Sequence, residues 1–146
     1  MRLDRSLPAL LLVLGQAPPV FEPIQPELFG AGSNLVNAVA DYDNDGDPDL
    51  FVGMNGAPNR LYRNDHGIFS EATAAAGVAD ARPTRAAAFG DFDRDGDPDL
   101  LIGFTPGRGS VLRLYRNEGG TFADATLAAG LTVDSGAVRQ PAWIDI

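Results

Sequence analysis

The stretch DYDNDGDPDL places Asp41, Asp43, Asp45, Asp47 and Asp49 on every second position, and DFDRDGDPDL repeats the pattern with Asp91, Asp93, Asp95, Asp97 and Asp99. So many like charges in one short loop repel one another unless a cation sits among them. The spacing D-x-D-x-D-G-x-x-D wraps a chain around a hard divalent ion, and calcium accepts roughly six to eight oxygens in flexible geometry. The expected ligands are the side chains of Asp41, Asp43 and Asp45, the backbone carbonyl of Asp47 and the side chain of Asp49. In the second loop they are Asp91, Asp93 and Asp95, the carbonyl of Asp97, and Asp99. Gly46 and Gly96 supply the backbone freedom the turn requires. Magnesium demands tighter octahedral geometry, and zinc or copper would want the histidine or thiolate that the loops lack. An EF-hand is excluded: Val52 and Ile102 stand where its bidentate glutamate belongs, and LFVG and LLIG follow as strand rather than helix.

The elements that must hold these loops repeat with them. Asp41 maps onto Asp91, LYRN at 61–64 onto LYRN at 114–117, Phe69 onto Phe122, and EATAAAGV at 71–78 onto DATLAAGL at 124–131. The offset grows by three residues, which places an insertion in the exposed turn TPGRGS at 105–110. Each unit holds four short apolar segments between turn residues; in the second they are AAAFGDF, DLLIGF, SVLRLYRN and TFADAT. LLIG reads as a buried strand, and the alternation around Leu112, Leu114 and Tyr115 as a strand with one covered face. Four strands per unit of this length predict an all-β fold of β-propeller blades, each four antiparallel strands. VRQPAWIDI at 138–146 aligns with TRAAAFGDF at 84–92 and begins a third unit, pairing Arg139 with Arg85 and Trp143 with Phe89. Two complete repeats and the start of a third cannot close a ring of roughly four to eight blades, so further blades from a longer chain or from other copies are expected.

Composition agrees with this. Of the 20 acidic residues ten lie in the two loops, so the net charge of −9 is a local property and nucleic acid is an unsuitable partner. Seventeen glycines and eleven prolines leave no room for long helices. Without cysteine there are no disulfides, and something else must stabilise an exported chain. Export is expected because MRLDRSLPALLLVLGQA sets two arginines before a short apolar run and ends in a small residue, the layout of a secretory signal. The run Leu7 to Leu14 is too short to span a bilayer. The chain therefore divides into a signal peptide at 1–17, an N-terminal segment at 18–33, blade repeats at 34–83 and 84–137, and a partial repeat at 138–146. Val20 to Glu22 stands about as far ahead of Asp41 as Phe69 does of Asp91, and is expected to be a stray outer, ring-closing strand.

Loop, flanking strands and repeat length together resemble FG-GAP or VCBS-type repeats, the calcium-bearing blades of integrin α-chain propellers and many secreted bacterial proteins. Phe89-Gly90 stands before the second loop as the family's FG does, while Val39-Ala40 replaces it before the first. The LYRN…F…AT…AAG tail is similar to the subset related to cartilage acidic proteins. The resemblance implies structural calcium, a secreted, periplasmic or extracellular location, and a protein or carbohydrate ligand. It implies that this ligand binds the face away from the aspartates, formed here by 54–60, 104–110, 79–84 and 133–136.

Other conspicuous residues read blandly. His66 is expected to be a turn residue, Trp143 blade core, and Asn64 and Asn117 openers of the turn to the last strand. Tyr62, Tyr115, Arg63 and Arg116 recur at equivalent places, which predicts a repeated structural contact. No nucleophile pairs with a base, and no glycine loop is built to cradle phosphate, so the expectation is adhesion or ligand recognition without catalysis. The alternatives are a scaffold part of a secreted polysaccharide-acting enzyme whose active site lies elsewhere, and a structural spacer.

Overall fold

A computed structural model describes residues 22–29, 32–107, 109–136 and 138–143. Two four-stranded antiparallel sheets follow one another along the chain. The first is the meander β1 (Asn34–Ala40), β2 (Asp49–Met54), β3 (Arg60–Asp65) and β4 (Ile68–Glu71). The second is β5 (Thr84–Gly90), β6 (Asp99–Phe104), β7 (Leu112–Asn117) and β8 (Phe122–Asp124). Among the described residues helix is confined to two single turns, α1 (Pro26–Phe29) and α2 (Thr73–Ala76). All four expected segments of each unit are therefore strands, and the sheets are blade-like without closing a ring among the described residues.

Each meander puts its aspartate loop between the first two strands, beside the tight turn from the third strand to the fourth. The EAT and DAT repeats finish the sheet. The hydroxyls of Thr73 and Thr126 accept the N–H groups of Leu61 and Leu114, at 3.0 Å in both cases, where the fourth strand no longer supplies an acceptor.

The core lies between the sheets. Phe51 and Leu61 on one side meet Leu100, Ile102, Phe104 and Tyr115 on the other, all buried, with Tyr42, Val78 and Phe122 closing the margins. Both Leu114 and Tyr115 are buried, so the one-sided alternation expected for this strand does not hold. A stacked blade is covered on both faces, and side chains pointing either way leave water. On the first sheet's outer face Val52, Met54 and Tyr62 are covered by Leu28 and Phe29 of α1. There the Gln25 side-chain amide takes the place of a neighbouring strand: its Nε2 donates to the Phe69 carbonyl at 2.9 Å and its Oε1 accepts the Phe69 N–H at 2.7 Å. The expected strand at Val20 to Glu22 falls mostly outside the described residues, as do the signal peptide and the last three residues of the third repeat.

The sheets approach through glycine. A Cβ on Gly53 would lie 2.5 Å from a Val36 methyl and 2.7 Å from a Thr84 methyl; one on Gly103 would lie 2.5 Å from Val138. Val138 thus covers the second sheet as Thr84 covers the first, and the 138–143 segment occupies the place of a third blade's inner strand without forming a ladder. Gly53→Ala is expected to cost ~1–3 kcal/mol by overpacking, read as a lower denaturation midpoint with an unchanged m-value.

Candidate metal centre

The two aspartate loops are built alike from backbone upward. Gly46 and Gly96 take φ of 96° and 95°, as a tight loop demands, and Asn44 and Arg94 are also left-handed at 57° and 65°. The loop then folds onto its first carboxylate. Asp41 accepts the N–H groups of Asp45 at 3.0 Å and Gly46 at 2.9 Å, and Asp91 accepts those of Asp95 and Gly96 at 3.2 and 3.1 Å. Asp45 and Asp95 each accept the N–H two residues on, both at 3.0 Å.

The five aspartates of each loop do not share one role. Asp49 and Asp99 are fully buried, and their carboxylates first of all hold backbone. Asp49 accepts Tyr42 N–H at 3.0 Å and Asn64 N–H at 2.7 Å; Asp99 accepts Phe92 N–H at 2.6 Å and Asn117 N–H at 2.8 Å. Burial pushes both carboxyls above their ordinary pKa, against the pull of those N–H groups. The Asp47 and Asp97 side chains reach the opposite turn instead, accepting His66 N–H at 2.8 Å and Gly119 N–H at 2.9 Å. The Asp47 carboxylate also lies within 4.8 Å of ligand atoms of Asp65 and His66 in that turn.

Carboxylate oxygens also converge within each loop. Ligand atoms of Asp41, Asp43 and Asp45 lie within 4.8 Å of one another in the first loop, and those of Asp91, Asp93 and Asp99 do so in the second. The Oδ1 of Asp43 is buried and has no hydrogen-bond partner. A partnerless buried carboxylate oxygen is costly in an apolar or neutral setting and natural beside a cation. The donor set is oxygen throughout, which fits a hard ion such as calcium.

The recurrent arginines belong to this centre, a role the sequence reading did not assign them. Arg63 from β3 spans two carboxylates, with Nε 2.7 Å from Asp43 Oδ2 and Nη2 2.8 Å from Asp45 Oδ2. Arg116 from β7 does the same to Asp93 at 2.6 Å and Asp95 at 3.3 Å. The Arg63 guanidinium, with the N–H of Asp47, holds the Asp45 carboxyl below its ordinary pKa. The signal was present as an arginine recurring beside a recurring tyrosine; which loop it reached was not readable, because about 20 residues of intervening chain set the partner.

Asn64 and Asn117 behave as expected and do more. Their Oδ1 atoms accept Gly67 and Gly120 N–H in the turns, both at 2.8 Å, and their amides donate to Pro48 and Pro98 carbonyls in the aspartate loops. Asn117 also donates to the Tyr42 carbonyl at 2.7 Å, and Asn44 to Asp97 at 2.7 Å, so the first loop is bound to the second unit. His66 lies in the β3–β4 turn with φ of 52°. Its Nδ1 stands 2.7 Å from Asp65, which with the Asp47 charge raises its pKa. Trp143 packs beside Phe92 and donates to the Ala88 carbonyl at 3.5 Å.

Antiparallel four-stranded units, stacked face to face with an acidic loop between the first two strands of each, define a repeat protein of blade-like sheets. The FG-GAP-like repeat model matches residues 41–102 and the FG-GAP repeat model matches residues 84–121. Residues 41–121 of this chain are thus FG-GAP-type repeats. No curated protein matches the chain. No helix among the described residues is long and apolar enough to cross a membrane.

Proposed function

We propose that the chain is a secreted segment of a calcium-stabilised β-propeller that serves adhesion or ligand recognition without catalysis, the ion having a structural role. The observation that carries the calcium reading is a convergence of three carboxylates in each loop, with Asp43 Oδ1 buried and unpartnered in the first. Asp41, Asp43, Asp45 and Asp49 with the Asp47 carbonyl would hold one ion, and Asp91, Asp93, Asp95 and Asp99 with the Asp97 carbonyl the other. The ion would supply charge compensation where Arg63 and Arg116 neutralise only part of each loop. Each loop is fastened to its own third strand and the first loop also to the second unit, so ordering it stiffens the stack. The arginine-led apolar run at 1–17, read as an export signal, fits an extracellular setting, where free calcium is plentiful.

Thermal unfolding of the chain in calcium, in magnesium and in a chelator tests this. Calcium at about a hundred times its Kd adds ~2.7 kcal/mol, a rise in Tm of several degrees. Magnesium is expected to give little, and Asp43→Ala/Asp93→Ala to abolish the calcium response. A cooperative melt indifferent to calcium would remove the metal reading and leave the fold intact.

A further inference from the structure

Around one cavity the same position of all three repeats comes together. Leu35, Arg85 and Arg139 are equivalent residues of the three inner segments, and all three line a cavity of about 560 Å³ with Phe104, Pro106 and Val138. The first two sit at a repeated irregularity: the β1–β2 register skips between Asn34 and Val36, and the β5–β6 register between Thr84 and Ala86. A bulge takes one residue out of the ladder and re-aims its side chain, and such bulges cluster beside binding sites. Here the residue taken out is Leu35 in one strand and Arg85 in the other.

Among the described residues no acid compensates the charge at this place. Arg63, Arg82, Arg113 and Arg116 all pair with carboxylates. Arg85 donates only to the Thr105 hydroxyl, at 2.8 Å, and no carboxylate among the described residues pairs with Arg85 or Arg139. The ten loop aspartates do not reach them, because Arg85 and Asp91 lie at opposite ends of β5, ~20 Å apart at strand rise. An acidic chain thus keeps a cationic, partly apolar hollow at the end remote from its aspartate loops. Its volume falls within the ~300–1,000 Å³ of small-molecule sites.

We propose that this cavity binds a small carboxylate-bearing ligand, its acid groups held by Arg85 and Arg139 and its body lying against Leu35, Pro106 and Val138. The guanidinium fork matches a carboxylate in two parallel hydrogen bonds, and the apolar side of the cavity rewards a ligand with a carbon-rich face. This rests on the recognition reading above and names the chemistry that would be recognised.

The test is calorimetric titration of the full chain, held in calcium, with digalacturonate, which carries two carboxylates on pyranose bodies, and with neutral digalactose. Digalacturonate is expected to bind and digalactose not to. Arg85→Gln and Arg139→Gln are each expected to weaken binding about tenfold or more. Arg85→Lys keeps the charge and loses the fork, and should recover only part of the affinity. Both arginines are exposed, so the variants should melt as the parent does, which the calcium-dependent Tm checks in the same samples. Absence of digalacturonate binding, equal binding of both sugars, or binding indifferent to both arginines overturns the proposal. If that occurs while calcium still raises Tm, the calcium-stabilised propeller stands and only the carboxylate site is lost.

Discussion

Asp49→Ala is expected to destabilise the chain by ~3 kcal/mol, and to do so in a chelator as well as in calcium. The carboxylate is fully buried and satisfies two backbone N–H groups, those of Tyr42 and Asn64. Removing it strands both donors away from water, at ~1–3 kcal/mol each, less whatever the burial of the charge itself had cost. Asp43→Ala should behave otherwise. Its strongest contact is an ion pair with Arg63, whose side chain is 45% exposed, and such pairs contribute ~0–1 kcal/mol. In a chelator that variant is expected to lie close to the parent, because the lost pair is offset by relief of repulsion within the loop. Chemical denaturation of both variants, with and without calcium, separates what each aspartate contributes by building the loop from what it contributes through an ion. Equal and small effects of the two substitutions in chelator would refute this division of roles.

Asp80→Ala is expected to cost ~2–3 kcal/mol by loosening the joint between the two sheets. Asp80 lies in the connection from one sheet to the next, its side chain only 8% exposed, and two arginines converge on it. Arg82 Nη2 and Arg113 Nη1 each stand 2.8 Å from Asp80 Oδ2, and the Asp80 carbonyl accepts Asn59 N–H at 2.8 Å. Arg82 also stacks over Phe104 at 3.7 Å and donates to the Ser110 carbonyl at 3.1 Å. Breaking a buried pair costs ~3–5 kcal/mol, and the figure is reduced here because both guanidinium groups are about a third exposed. Burial opposes the Asp80 charge, but the bonds from Arg82 and the charge of Arg113 outweigh it and hold the carboxyl below its ordinary pKa. A lowered folded pKa adds stability that is present above the unfolded value, ~3.9, and is lost as pH falls through the folded value. Asp80→Asn should therefore flatten the acid limb of the stability profile below about pH 4, measured by urea unfolding across pH. An unchanged acid limb would show that the cluster adds nothing.

The arrangement explains how a chain without disulfides can hold two small sheets together. The contacts between units are of three kinds: apolar packing through Phe51, Leu61, Leu100 and Ile102, close approach at Gly53, and polar ties through Asp80, Asn44 and Asn117. The polar ties lie at both ends of the strands, so a blade cannot tilt about its apolar centre without breaking one set.

Much of this was legible along the chain, because the determinants are local and occur twice. The aspartate spacing with its glycine specifies a loop whatever surrounds it, since the donors and acceptors that shape it lie within five residues of one another. The strands could be read because apolar runs of this length between turn residues have few other solutions, and repetition confirmed each assignment against its copy. Roles that depend on distant partners were not readable. Asp49 has the same residue type and the same spacing as its neighbours, yet only the antiparallel return of β3 brings Asn64 N–H to it and makes it a backbone anchor. Arg63 and Arg116 are charged residues in exposed strand positions until the meander lays them against the loop carboxylates. Leu114 beside Tyr115 gave the wrong burial pattern because coverage of both sheet faces is a property of stacking, which no single strand encodes. The gathering of Leu35, Arg85 and Arg139 about one cavity required the most tertiary structure of all, since positions fifty residues apart meet only once the sheets have stacked.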